Sequence, residues 1–187
     1  PYNSQHVRVI HAVHGEKQII AVWPGFHDKA FGMAVDIGST TVAAHLCNLE
    51  SGELVAAAGI MNPQIRFGED LMSRVSYAMM NPGGAQQMTD AIRVALSALA
   101  GELACAARIQ PSDILELSLV GNPIMHHLVL GIDPTELGGA PFALAIDHSL
   151  TIRASSLGLA VAVIDGRSDT ARSNILSVVG ALYLTLL

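Results

Sequence analysis

The spacing of apolar and polar positions changes several times along the chain, and each change predicts an element. VRVIHAV (7–13) alternates as a strand does, and KQIIAVW (17–23) could pair with it across His14-Gly15-Glu16. PGFHDKA (24–30) is turn-rich and reads as a linker, so residues 1–30 look like the end of a preceding unit. GMAVDIG (32–38) then reads as a buried strand ending at Gly38. TTVAAHLCNL (40–49) is a second strand, β-branched at its start, ESGE (50–53) is a turn, and LVAAAGIM (54–61) is a third strand. Three strands joined by short turns predict an antiparallel meander.

Helical spacing follows. Leu71, Val75, Ala78 and Met79 recur on one face behind Glu69 and Asp70, acids suited to a helix N-terminus. Asn81-Pro82-Gly83-Gly84 breaks the run. A longer helix places Met88, Ile92, Leu96, Leu99 and Leu103 on one stripe, with Thr89, Asp90, Arg93 and Ser97 on its other faces, and ends near Arg108. ILELSLVG (114–121) is a fourth strand. At the junction after it, Asn122 can cap a helix and Pro123 suits the first helical position; IMHHLVLG (124–131) is that helix, closed by Gly131. The pattern weakens after IDPTELGGAPF, and ILSVVGALYLTLL is a core helix or strand, too short to span a bilayer. The order predicts a mixed α/β fold rather than strict βαβ alternation.

Composition narrows the function classes. Hydrophobic residues make up 51% and charged residues 14%, which supports a packed core and argues against disorder. With a formal net charge of -6 and sparse, unclustered Lys and Arg, nothing suggests a nucleic-acid surface. Cys47 and Cys105 are far apart and form no CxxC, so a reducing cytoplasm is the simpler setting, and no signal peptide is evident. A chain that begins at Pro1 reads as part of a longer one.

The candidate chemistry lies in Asp36-Ile37-Gly38-Ser39-Thr40-Thr41. A tight turn can aim several backbone amides at one point, and that arrangement binds phosphate without a lysine. Gly38 can take dihedrals closed to other residues and lets an anion approach. Ser39, Thr40 and Thr41 add amides and hydroxyls. Asp36 can hold a magnesium ion, directly or through water. Neither a Walker loop nor a dinucleotide fingerprint is present, and on spacing alone a hairpin capped by an acid is an equal reading.

VDIGSTT after a buried strand resembles the first phosphate motif of the actin, sugar-kinase and heat-shock ATPase superfamily. GMAVDIGSTTVAAHLCNLESGELV, NPQIRFGEDLMSRV and GNPIMHHLVLGIDPTELGGAPF together resemble the C-terminal ATPase domain of the reductive activators of corrinoid proteins, over about Gly32 to Leu157. The resemblance implies an actin-like (ribonuclease-H-like) α/β half-domain, its first subdomain spanning 31–187. It implies ATP and magnesium as ligands, with Asp36 at the metal and catalytic position. Gly38, Ser39, Thr40 and Thr41 fall at the phosphates, and Asn122 and Pro123 at the strand-to-helix junction facing the nucleotide. Family members carry an N-terminal [2Fe-2S] domain and return Co(II) corrinoid proteins to Co(I), so a corrinoid protein is the implied partner, and a homodimer is compatible with it. A sugar- or acetate-kinase-like phosphotransferase and a non-catalytic actin-like interaction domain are the alternatives.

Three departures accompany the resemblance. Two cysteines cannot supply the four thiolates of a [2Fe-2S] site. The second Asp-x-Gly motif is missing unless VIDGRSD, around Asp165 and Gly166, supplies it, and an ordinary turn is the better reading there. Residues 160–187 do not follow the family pattern. A half-site of this kind is expected to show weak or no ATPase activity alone, and to expose apolar surface where its other half packs.

Other residues read as structural. Eight histidines show no metal-binding spacing. His126 and His127 are expected on different faces of their helix in packing or surface roles, and His6, His11, His14 and His27 in solvent. Glu69 and Asp70 read as capping acids rather than a general acid and base. Arg66 reads as the partner of a nearby acid rather than of a phosphate. Met79, Met80 and both cysteines read as core residues.

Overall fold

The computed structural model describes residues 9–14, 16, 18–159 and 175–180. Strands β1 (Val9–His14) and β2 (Gln18–Pro24) form an antiparallel hairpin. The meander follows as β3 (Phe31–Ile37), β4 (Thr41–Asn48) and β5 (Leu54–Met61). Helices α1 (Leu71–Met80) and α2 (Gly84–Ala106) then carry the chain to β6 (Ile114–Gly121), which lies parallel to β3. Helix α3 (Pro123–Leu130) comes next, then β7 (Leu150–Arg153) and β8 (Ile175–Gly180). The larger sheet has the order β5-β4-β3-β6-β8-β7. It combines an antiparallel meander with parallel strands and flanking helices, the mixed α/β actin-like class that the sequence predicts. Of the C-terminal apolar run, residues 175–180 are a strand inserted between β6 and β7. VIDGRSD and residues 181–187 lie outside the described residues.

Alternation decides which face of the sheet is buried. Val35 and Ile37 on β3, and Val42, Ala44 and Leu46 on β4, point to one face and are almost inaccessible. The α2 stripe covers them: Met88, Ile92, Leu96, Leu99 and Leu103 are each at most 1% exposed. Ala34, Asp36, Thr41, Ala43 and His45 lie on the opposite face and are exposed. The β1–β2 hairpin packs Ile20, Ala21 and Trp23 against Leu115, near the start of β6 and remote from Gly121 at its end.

The caps follow local chemistry. Asp70 Oδ1 accepts the Ser73 N–H at 2.7 Å and starts α1, and this bond foremost draws the Asp70 carboxyl below its usual pKa. Asn122 Oδ1 accepts the Met125 N–H at 3.0 Å and starts α3, with Pro123 in its first turn. Gly131, at φ 78°, ends α3 in the left-handed region where glycine is favoured.

Several expectations for single residues do not hold. Met79 and Met80 are 64% and 74% exposed, because α1 buries Arg74 and Val75 instead and turns its C-terminal methionines outward. Thr89 is buried rather than peripheral. Its hydroxyl donates to the Leu128 carbonyl at 2.8 Å and ties α2 to α3. His27 is not solvated: its ring stacks on Trp23 at 4.0 Å, and Nε2 lies 3.7 Å from Asp113 Oδ1. Cys105 is exposed and Cys47 only half-buried. Arg66 lies over the Phe67 ring, 4.6 Å from its centroid, rather than against an acid. His126 and His127, by contrast, are both buried, in the packing role expected of them. The His127 Nδ1–H donates to the Pro123 carbonyl at 2.7 Å, and Nε2 accepts the Ala145 N–H at 3.2 Å.

Candidate phosphate-binding site

The turn between β3 and β4 is closed by the Gly38 N–H, which donates to the Thr41 carbonyl at 3.0 Å. Glycine is required at position 38 for a different reason from the one expected. Its φ lies outside the left-handed region, but a Cβ there would come within 2.8 Å of the Thr41 carbonyl oxygen. The requirement is close approach of two backbones, not an unusual dihedral.

Three successive carbonyls of this turn are held from the protein side. Asn62 Nδ2 donates to the Gly38 carbonyl at 2.8 Å. The Arg74 guanidinium donates through Nη2 to the Ser39 carbonyl. The Asn62 main-chain N–H donates to the Thr40 carbonyl at 2.8 Å. In a trans peptide the N–H points opposite to the C=O. Fixing these carbonyls against Asn62 and Arg74 therefore directs the N–H groups of Ser39, Thr40 and Thr41 away from that side. Among the described residues no hydrogen bond engages the amides of Ser39 or Thr40. Adjacent free amides facing the same way are donors of the kind that can receive an anion.

Asn62 and Arg74 are both 0% exposed. Asn62 also caps the short 3-10 helix Pro63–Phe67, its Oδ1 accepting the Gln64 N–H at 2.9 Å. Arg74 Nε donates to the Gly68 carbonyl at 3.0 Å, and Nη1 reaches Gln64 Oε1 and Met125 Sδ, both at 3.4 Å. Gln64 Nε2 in turn donates to the Met88 carbonyl at 3.0 Å. This buried shelf connects the turn to α1, α2 and α3. Burial lowers the Arg74 pKa, and Asp70, one helical turn back, partly offsets the effect.

The parallel pairing of β3 with β6 sets Ile37 beside Gly121. Asp36 through Thr41 and Asn122-Pro123 thus meet at the same edge of the sheet, where β3 and β6 end. A Cβ on Gly121 would lie 3.1 Å from the Ile37 carbonyl oxygen, so this junction is also tight. Asp36 is exposed, one residue out of phase with the buried Val35 and Ile37. The Asn122 side-chain oxygen is committed to its cap, and Pro123 has no N–H. Together they set where α3 starts.

Sequence spacing did not single out Asn62, Gln64 or Arg74. One signal was available: Arg74 stands three residues after Leu71, so it interrupts the apolar stripe of α1 with a charge. Such a residue on a buried face must find polar partners.

The side chains present bear on two further ligand types, a metal ion and an iron–sulfur cluster. Among the described residues no group of three or more His, Cys, Asp and Glu could hold a metal ion by itself. One carboxylate, Asp36, fits the way magnesium is held beside phosphate, with few protein ligands and retained water. An iron–sulfur cluster does not fit, since Cys47 lies on β4 and Cys105 on α2. Among the described residues no helix is long and apolar enough to cross a membrane.

A mixed α/β unit in which a tight turn and a helix N-terminus converge at the ends of adjacent parallel strands has an actin-like fold. A profile of the RACo middle region matches residues 31–180, and the chain belongs to that family. It is 37% identical over 112 residues to the corrinoid activation enzyme RamQ of Eubacterium limosum, an alignment covering 60% of this chain and 19% of RamQ. A solved structure of a reductive activator for corrinoid, iron-sulfur protein superposes with a TM-score of 0.74 at 27% identity, covering 87% of this chain and 24% of that one. The chain therefore spans about a quarter or less of the length of these relatives.

Proposed function

We propose that this chain is the ATP-binding part of an iron–sulfur-dependent reductive activator that returns Co(II) corrinoid proteins to Co(I). The carrying observation is the turn itself: three carbonyls held on the Asn62–Arg74 side and free amides at Ser39 and Thr40. In this reading the amides of Ser39, Thr40 and Thr41 receive the polyphosphate, with their hydroxyls as additional donors. Gly38 keeps the turn tight. Asn122 and Pro123 fix the α3 N-terminus toward the same anion. Asp36 holds the magnesium ion, which when bound offsets charge on the phosphate oxygens.

The names of the relatives, a corrinoid activation enzyme and a reductive activator, support the assignment of the wider role. The corrinoid is the partner protein's group and the substrate of the reduction. The electron comes from a cluster elsewhere in the complete protein, in keeping with the two separated cysteines here. A cytoplasmic setting and a homodimer agree with this reading, with residues 31 onward forming the nucleotide-binding unit and 1–30 ending a preceding one.

Isothermal titration of the chain with ATP at fixed magnesium tests the proposal. Binding that needs magnesium and is lost in Asp36→Ala is the expected result. Heat of binding that is unchanged without magnesium, and in Asp36→Ala, would overturn it.

A further inference from the structure

Arg74 is fully buried, yet no carboxylate lies within ion-pair distance of it among the described residues. Its nitrogens meet the Ser39 and Gly68 carbonyls, the Gln64 amide oxygen and the Met125 sulfur, all of them neutral. A buried charge whose direct partners are all dipoles is a costly arrangement, because neutral acceptors restore only part of the hydration lost and Asp70, one helical turn back, offsets only part of the rest. Protein interiors usually resolve such a charge by pairing it.

The position of the guanidinium shows where its counter-charge would sit. It holds the oxygen of the Ser39–Thr40 peptide, and the hydrogen of that same peptide, on Thr40 N, points the opposite way. One peptide group thus separates the arginine from the face on which the anion-binding amides open. The cation polarises that peptide and strengthens its N–H as a donor. Its field also reaches the far side of the turn through that single peptide group.

We propose that Arg74 is the positioning residue of the phosphate turn, and that the polyphosphate bound on the far side of the Ser39–Thr40 peptide is its counter-ion. This rests on the phosphate reading of the turn and extends it: affinity at this site is set by a buried charge that never touches the ligand. In the free protein only Asp70, one helical turn back and outside ion-pair distance, offsets this charge in part, and ligand binding completes its neutralisation. Affinity therefore rises with ligand charge, from AMP to ADP to ATP.

Arg74→Gln and Arg74→Lys in the full chain, titrated with ATP, ADP and AMP at fixed magnesium, test this, with circular dichroism and thermal melting as controls for folding. Arg74→Gln should fold and bind ATP at least tenfold more weakly than wild type, with AMP affinity changed less. Arg74→Lys should recover most of the loss, although lysine cannot reproduce the guanidinium's several directed bonds. A purely structural arginine gives the reverse: Lys fails as badly as Gln, and all three nucleotides weaken equally. That outcome overturns the inference, as does wild-type ATP affinity in a folded Arg74→Gln. A glutamine variant that does not fold also overturns it, because the charge would then serve the free protein. If wild type itself binds no nucleotide, the phosphate reading fails first. If wild type binds through Asp36 and only the Arg74 results miss, the phosphate reading stands and the counter-ion role alone is lost.

Discussion

Asn62 grips the β3–β4 turn twice: its side-chain amide donates to the Gly38 carbonyl and its main-chain N–H to the Thr40 carbonyl, each at 2.8 Å. The same side chain accepts the Gln64 N–H, so one buried residue fixes both the turn and the start of the next element. Asn62→Ala should remove a cap and leave a buried carbonyl unpaired, a loss of about 2–4 kcal/mol in urea unfolding. Asn62→Asp retains the cap acceptor but sets a carboxylate against the Gly38 oxygen, so it should weaken ATP binding at least as much as Ala does. Wild-type stability in Asn62→Ala would show that the grip is incidental.

Asp36 is exposed and makes no structural hydrogen bond among the described residues. Asp36→Ala should leave the melting temperature within about a degree or two of wild type, since exposed substitutions away from such bonds are nearly neutral. Magnesium-dependent ATP binding should disappear, together with any hydrolysis in the complete protein. A large drop in melting temperature would mean that the carboxylate serves the fold.

Gly38→Val places side-chain atoms where only 2.8 Å separates the Cβ position from the Thr41 oxygen. The turn must open to accommodate them, at about 1–3 kcal/mol. Nucleotide binding should fall with stability, because the same displacement swings the Ser39 and Thr40 amides. Normal nucleotide affinity in a folded Gly38→Val variant would argue that the turn does not hold phosphate.

Thr89 shows how the α3 junction is braced from behind. Its hydroxyl–carbonyl bond to Leu128 is buried, so Thr89→Val keeps the shape but leaves the carbonyl without its donor. The expected loss is about 1–2 kcal/mol by chemical denaturation. A neutral result would mean that the Leu128 oxygen finds another partner.

His126 gives a pH signature. Burial foremost, and then the neighbouring His127 and His148, lower its pKa below the ordinary histidine value. The unfolded chain then takes up this proton more readily than the folded one. Stability from this group is complete above about pH 6.5 and is lost as pH falls toward the lowered folded value. Melting temperatures between pH 7.5 and pH 5 should fall less steeply for His126→Asn than for wild type. Equal slopes would place the acid sensitivity elsewhere.

The sequence alone determined the local parts of this protein. The apolar run GMAVDIG ending at Gly38 gave β3, the Met88–Leu103 stripe gave α2, and Asp70 and Asn122 fell at their helix starts. Those signals depend on neighbours within a turn or two, so they are written consecutively along the chain. Even the Asp36–Thr41 turn was visible as a candidate, though not the reason for its glycine. Tertiary structure decided what surrounds that turn. Asn62 lies 24 residues from Gly38 and Arg74 lies 35 from Ser39, and nothing in their local spacing points to those carbonyls. It also decided that Met79 and Met80 face outward while Thr89 goes inside, because α1 buries its arginine side and α2 packs directly on α3. A residue's period tells which face of an element it occupies; only the packing of several elements tells which face is left for solvent, and which carbonyls need a donor from far away.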